Sequence, residues 1–153
     1  MNIRPAKLDD AAQIAEIYNF YIQNTHQTFE TEPLSADEMR DRIEEYSREH
    51  PYLVAEEDSV IYGYAYASQF KLRRAYEFSA EVSIYVKNDE KQRGIGSQLY
   101  ARLFEELQES DVHAIIAGIS LPNDISIRFH EKLGFEKIAH FREIGYKLGR
   151  WVD

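Results

Sequence analysis

Between Ser79 and Leu107 the apolar period changes from two residues to about four, across a turn holding two glycines. That change specifies a strand running into a helix. Ala80, Val82, Ile84 and Val86 share one parity and Glu81, Ser83 and Tyr85 the other, so a strand over 79–86 has one apolar and one mixed face. After Gly94 and Gly96, Leu99, Leu103 and Leu107 recur at the helical interval to about Ser110. Such a unit buries itself by laying the helix on a sheet, which restricts the chain to layered α/β or α+β architectures.

The remaining segments fit that scheme. Ile3 to Pro5 reads as a short first strand, and Asp9 or Asp10 caps a helix whose inner stripe is Ala11, Ile14, Ala15, Tyr18, Tyr21 and Ile22. Ser35-Ala36-Asp37-Glu38 has the form of a capping box opening a charged helix that runs towards His50, where Pro51 stops it. Tyr52–Glu56 and Val60–Tyr66 form a hairpin across Glu57-Asp58-Ser59. Ala114 to Ile119 reads as a buried strand, Ile125 to Leu133 as a short helix ended by Gly134, and Phe135 to Ile144 as a final strand. With no repeat and no linker, a single mixed α/β domain over residues 1–153 is expected.

Composition excludes several function classes. The chain lacks cysteine, so thiolate metal sites, disulfides and a cysteine nucleophile are impossible. A net charge of −9 argues against nucleic acid as a partner. No apolar run approaches the ~18 residues of a membrane span, and the start is unlike a signal peptide, so a cytoplasmic location without membrane partners is expected. Lys71, Arg73 and Arg74 nevertheless gather three cations within four positions. They form either an anion site or an ordinary solvated loop.

The glycine turn is equally two-sided. Glycines admit close backbone approach, and a helix start offers unpaired N–H groups and the positive dipole end, which suits a phosphate. A tight strand-to-helix turn needs the same residues. The Gly-Lys-Ser/Thr of a Walker loop is absent, since Ser97 and Gln98 follow Gly96, and a third Rossmann glycine is absent too.

With this turn the sequence resembles the GNAT superfamily of N-acetyltransferases, whose pyrophosphate loop reads Gln/Arg-x-x-Gly-x-Gly/Ala. Gly94 and Gly96 match; Lys91 stands at the leading position, with Gln92 and Arg93 beside it. Asn123 to Ser126, followed by Gly134-Phe135, resembles the superfamily's Asn-x-x-Ser/Ala…Gly-Phe segment, and His130 stands where Tyr is common. The closest likeness is to the phosphinothricin and methionine sulfone/sulfoximine acetyltransferase subfamily. Thr28–Pro33, Tyr52–Glu56, Ala75-Tyr76, Ala80-Glu81, Leu121–Asp124, Gly145-Tyr146-Lys147 and the Trp151-x-Asp153 ending carry it, over nearly the whole chain. That subfamily usually continues past Trp-x-Asp into a last strand, so a sequence ending at Asp153 is either a shortened chain or one that lacks this sheet edge.

The resemblance implies a GNAT fold, a central mixed sheet flanked by about four helices, acetyl-CoA as cosubstrate, no metal, a small-molecule amine as acceptor and a homodimer. It assigns Glu81 as general base, where the parity alone allows an ordinary solvent-facing carboxylate. It makes Ile84, Tyr85 and Val86 backbone contacts to thioester and pantetheine. Gln92, Arg93, Gly94, Ile95, Gly96 and Ser97 cradle the pyrophosphate, and Asn123 reaches the cofactor or only caps the next helix. His130 protonates the departing thiolate, binds substrate or is structural. Lys71, Arg73, Tyr76 and Phe29 line the substrate pocket. The rivals are an acetyltransferase for polyamines or protein N-termini, the former disfavoured by those cations, and a non-catalytic CoA-binding module.

Overall fold

The computed structural model describes residues 1–90 and 94–153. The alternation at 79–86 becomes β4 (Ser79–Val86) in a five-stranded sheet with β1 (Asn2–Pro5), β2 (Tyr52–Glu57), β3 (Val60–Gln69) and β5 (Ala114–Ile116). The strands lie in the order β1-β2-β3-β4-β5. The first four pair antiparallel and β5 pairs parallel to β4, giving the expected mixed sheet. The β2–β3 hairpin turns at Asp58 and Ser59, both at positive φ (51° and 65°), the geometry that matches the twist of two antiparallel strands.

Four α-helices occur among the described residues: α1 (Ala11–Asn24), α2 (Ala36–Tyr46), α3 (Ile95–Gln108) and α4 (Asp124–Lys132). The capping box of α2 forms as read, with Glu38 N–H donating to Ser35 Oγ at 3.1 Å and Ser35 N–H to Glu38 Oε2 at 2.8 Å. Asp10 behaves differently from a simple cap. A single 3₁₀ turn (Leu8–Asp10) precedes α1, and Asp10 accepts from Lys7 N–H and both terminal nitrogens of Arg4.

The two faces of β4 separate two kinds of core. On the even face Ala80 and Val82 are buried, and α3 packs against β1 to β4 through Ile95, Leu99, Leu103 and Leu107, each at most 1% exposed. Gly63 eases the close approach there: a Cβ on it would be crowded, 3.2 Å from Ile95 Cγ2, 3.0 Å from Tyr85 O and 3.3 Å from Val86 Cα. The opposite face is a row of tyrosines. Tyr52 and Tyr64 stack at 5.9 Å, Tyr52 and Tyr66 at 4.9 Å, and Tyr64 and Tyr85 at 5.5 Å. Tyr18 of α1 meets Tyr85 edge-on at 5.0 Å, and Tyr46 of α2 stacks on Tyr66.

The chain divides into two compact units, Met1–Tyr18 with Leu34–Ala117, and Asn19–Pro33 with Gly118–Asp153. The second holds α4 and a small antiparallel pair, β6 (Gly145–Lys147) and β7 (Arg150–Val152). The strand expected over Phe135–Ile144 does not form: no ladder pairs those residues, and the strand begins only at Gly145. Its apolar side chains remain outward, with Ile138, Phe141 and Ile144 all more than half exposed, and among the described residues no partner strand is present to bury them. The β5 strand also ends early, at Ile116 rather than Ile119.

Candidate active site

The geometry begins where the parallel ladder stops. β5 matches β4 only at Ser79↔Ala114, Ala80↔Ile115 and Glu81↔Ile116, while β4 continues to Val86. From Glu81 onward β4 therefore outruns β5, and Ile84, Tyr85 and Val86 occupy the stretch beyond the shared ladder. Gly94 stands at the N-cap of α3 at φ 69°, a left-handed conformation natural to glycine, and accepts Gln98 N–H at 3.2 Å. Ile95, the first residue of α3, lies over Gly63 beside the Tyr85–Val86 backbone, which brings the helix start to the strand end. Gly96 and Ser97 complete the opening of that 14-residue helix, where unpaired N–H groups gather. Gln92 and Arg93, expected in the same cradle, and Lys91 lie outside the described residues.

Glu81 occupies the face shared with Ser83 and Tyr85 and pairs with Ser68 across β3. It is half-buried, and burial pushes its carboxyl above the usual glutamate range, with no charged group among the described residues contributing. A carboxylate without a cationic partner keeps its proton affinity, the property a base needs.

The cationic cluster lies at the other end of β4, the end nearer Glu81 and away from the Val86 end that meets α3. Residues 70–78 join β3 to β4, tied by Phe70 N–H to Ser79 O at 3.1 Å and by Tyr76 N–H to Arg73 O at 2.9 Å. Lys71 Nζ lies 5.2 Å from the Phe70 ring centre and 5.5 Å from that of Tyr76, cation–π contacts that leave the ammonium exposed. Among the described residues no carboxylate is ion-paired with Lys71, Arg73 or Arg74. Glu81, Ile84, Tyr85, Val86, Gly94, Ile95, Gly96, Ser97, Lys71, Arg73 and Tyr76 thus all belong to the first unit.

Asn123, His130 and Phe29 belong to the second. Asn123 caps α4, its Oδ1 accepting Ser126 N–H at 3.3 Å. His130 is 6% exposed, between Phe129 and Phe135, and its Nδ1 lies 2.8 Å from Ser126 O. A carbonyl only accepts, so Nδ1 carries the proton and Nε2 is the unprotonated nitrogen. Burial lowers the imidazole pKa, opposed by the Ser126 bond, which leaves the ring neutral at pH 7. Phe29 is 45% exposed and lays its ring on the Gly145 backbone.

Two features escaped the residue-by-residue reading. Gly63 carries no motif, only its place opposite Val86. Lys147 is 4% exposed and donates to Thr28 O at 2.7 Å; its signal was the Gly145-Tyr146-Lys147 triplet, which marks likeness but not burial. Among the described residues no group of His, Asp and Glu is placed to hold a metal ion, and no helix is long and apolar enough to cross a membrane.

Comparison with known proteins shows the family. Residues 3–153 match the family model for the acetyltransferase (GNAT) domain. The phosphinothricin N-acetyltransferase of Streptomyces viridochromogenes is 39% identical over 153 residues, covering 100% of this chain and 84% of the relative. The L-methionine sulfoximine/L-methionine sulfone acetyltransferase of Salmonella typhimurium is 34% identical, covering 100% and 90%. A crystal structure of a phosphinothricin acetyltransferase from Sinorhizobium meliloti in complex with acetyl-CoA superposes with a TM-score of 0.94 at 35% identity, covering 99% of this chain and 83% of that one. The chain belongs to the GNAT acetyltransferase family and is an acetyl-CoA-dependent N-acetyltransferase.

Proposed function

We propose that this enzyme acetylates the primary amine of a small amino-acid-like acceptor, of the phosphinothricin or methionine sulfone/sulfoximine type, by direct transfer with Glu81 as general base. The observation that carries the reading is Glu81 at the last rung of the β4–β5 ladder, on the strand whose far end meets the start of α3. That arrangement fits acetyl-CoA: the strand end from Ile84 to Val86 offers backbone groups to an extended amide-bearing arm, and Gly94 to Ser97 offer the helix N-terminus to a diphosphate. Gln92 and Arg93 are assigned to the same cradle by the family pattern. Bound acetyl-CoA supplies a thioester whose acetyl carbon an amine can attack.

The chain's task is the proton. An alkylamine with a pKa of ~10.4 costs about 4.6 kcal/mol to deprotonate at pH 7. A positioned base contributes roughly 10²–10⁴-fold, a comparable sum. Glu81 takes the amine proton as the new C–N bond forms and the C–S bond breaks. Lys71 and Arg73, without carboxylate partners among the described residues, suit the acceptor's carboxylate and its phosphinate, sulfone or sulfoximine oxygens, with Tyr76 as hydroxyl donor. Phe29 supplies an apolar wall, and Asn123 combines its capping bond with a cofactor contact. For His130, a neutral ring with its one N–H committed to Ser126 suits binding over proton donation.

The family match over residues 3–153 supports reading the chain as one acetyltransferase domain, and its cosubstrate supports a cytoplasmic site of action. Exposed Phe141, Ile144, Tyr146, Leu148 and Trp151 support a homodimer, which sedimentation would test by mass. The activity test is thiol release from acetyl-CoA over a panel of phosphinothricin, methionine sulfone, methionine sulfoximine, polyamines and peptide N-termini. Preferred turnover of the amino-acid-like amines is expected. Preference for a polyamine or peptide, or CoA binding without turnover, overturns the proposal.

A further inference from the structure

We propose that Lys147 and Gly145 are positioning residues for the loop that carries Phe29, so that β6 fixes which amines the enzyme accepts. The loop follows α1, and β6 lies over a hundred residues later. Two kinds of contact join them, both within the second unit.

The first is a charge-assisted, directional hydrogen bond. Lys147 Nζ donates to Thr28 O at 2.7 Å and lies 3.5 Å from Tyr21 O, in the last turn of α1. Tyr21 O also accepts Thr25 N–H at 3.2 Å and the Thr25 hydroxyl at 2.9 Å, so the buried ammonium adds its positive charge to an already bonded carbonyl at the negative end of the helix. The backbone one residue before Phe29 is therefore tied to the end of α1. Burial lowers the Lys147 pKa, opposed by the nearby Glu30 carboxylate, in keeping with a desolvated cation.

The second contact is steric. A Cβ on Gly145 would sit 2.5 Å from Phe29 Cε2, 2.7 Å from Cζ and 2.9 Å from Cδ2, so the ring occupies the space a side chain would need. Phe29 thus has one edge fixed on β6 and the remainder exposed, the disposition of a pocket wall. A cavity of about 370 Å³ lies beside Lys147, lined by Ile22, Gln23, Thr31, Pro33 and Leu148, leaving the following part of the loop room to shift.

The specificity half of the inference rests on Phe29 facing the amine, as in the proposed function; the positioning half does not. Four full-length variants test both: Lys147→Met, Lys147→Arg, Gly145→Ala and Gly145→Ala in a Phe29→Ala background. Amide hydrogen exchange over residues 25–33 is expected to rise about tenfold or more in Lys147→Met, the equilibrium worth of one charged hydrogen bond, and to be largely restored in Lys147→Arg. KM for the amine should rise by a similar factor while kcat and KM for acetyl-CoA stay within about twofold. Gly145→Ala should raise the amine KM and lower Tm alone, but do neither once Phe29 is Ala. Unchanged exchange, or a Gly145→Ala effect that persists without Phe29, overturns the positioning. Increased exchange with equal changes in both KM values overturns the specificity half. If the parent acetylates no amino-acid-like amine, the proposed function and the specificity half fall together, and exchange and the Tm cycle still decide whether β6 holds the loop.

Discussion

Replacing Glu81 by Gln keeps the shape of the side chain and removes its charge, which separates catalysis from stability. Glu81 is half-buried on a central strand and burial raises its pKa. The folded state therefore binds the carboxyl proton more tightly than the unfolded chain, so this group's stabilising contribution is complete below the unfolded value of ~4.3 and is lost as pH rises through the folded value. At pH 7 the carboxylate is a net cost to folding, reduced by its partial exposure. Glu81→Gln should be as stable as the parent or slightly more so, with an equal or higher Tm in buffers from pH 7 to 8. Its kcat should nonetheless fall roughly 10²–10⁴-fold, the usual worth of a general base. The assay is thiol release at saturating acetyl-CoA and amine from pH 5 to 9, with CoA affinity from calorimetry. The parent's rate should decline in acid along a limb centred above pH ~4.3, because burial raises the base; the variant should lack that limb and keep its CoA affinity. A variant turning over within about threefold of the parent, or retaining the acid limb, refutes Glu81 as the base.

Three further outcomes follow from other parts of the structure. Gly63→Val puts a branched side chain where a Cβ already meets Ile95 and the Tyr85–Val86 backbone, so it should cost about 1–3 kcal/mol in urea unfolding and weaken CoA binding by calorimetry. Burial alone would raise the Asp10 pKa, but the Arg4 bonds at 2.7 and 2.9 Å and the Lys7 N–H outweigh it and hold the carboxyl low. Its contribution is present above the unfolded value of ~3.9 and lost as pH falls through the folded one, so Asp10→Asn should cost roughly 1–3 kcal/mol at pH 7, with the gap closing in acid melts. Lys71→Ala with Arg73→Ala should raise the amine KM while leaving the acetyl-CoA KM unchanged; equal effects on both would point to a fold defect.

The elements legible in the sequence were those whose signals are local. Capping at Ser35, the alternation of β4 and the leucine spacing of α3 are each settled within a few residues, and each formed as read. Tertiary partners were not legible. Asp10 looked like a helix cap because the sequence does not show that Arg4, six residues earlier on the first strand, turns its guanidinium onto that carboxylate. Phe135–Ile144 has strand composition, but a strand exists only with a ladder beside it. The early end of β5 was equally hidden, although it gives Glu81 its place at the last shared rung.

That rung shows why the catalytic reading depends on parity more than on any single contact. Ala80 and Val82 must face α3, since they are buried on the side where Gly63 receives Ile95. Glu81 between them is then obliged to stand with Ser83 and Tyr85 on the tyrosine face. A slip of one residue in the β3–β4 register would drive the carboxylate under α3 and expose the small apolar residues, at the cost of burying an unpaired charge. Burial of the even residues thus fixes the position of the odd one. The same hydrophobic term that seats α3 on the sheet holds Glu81 on the opposite face, beside the point where β4 leaves β5 behind.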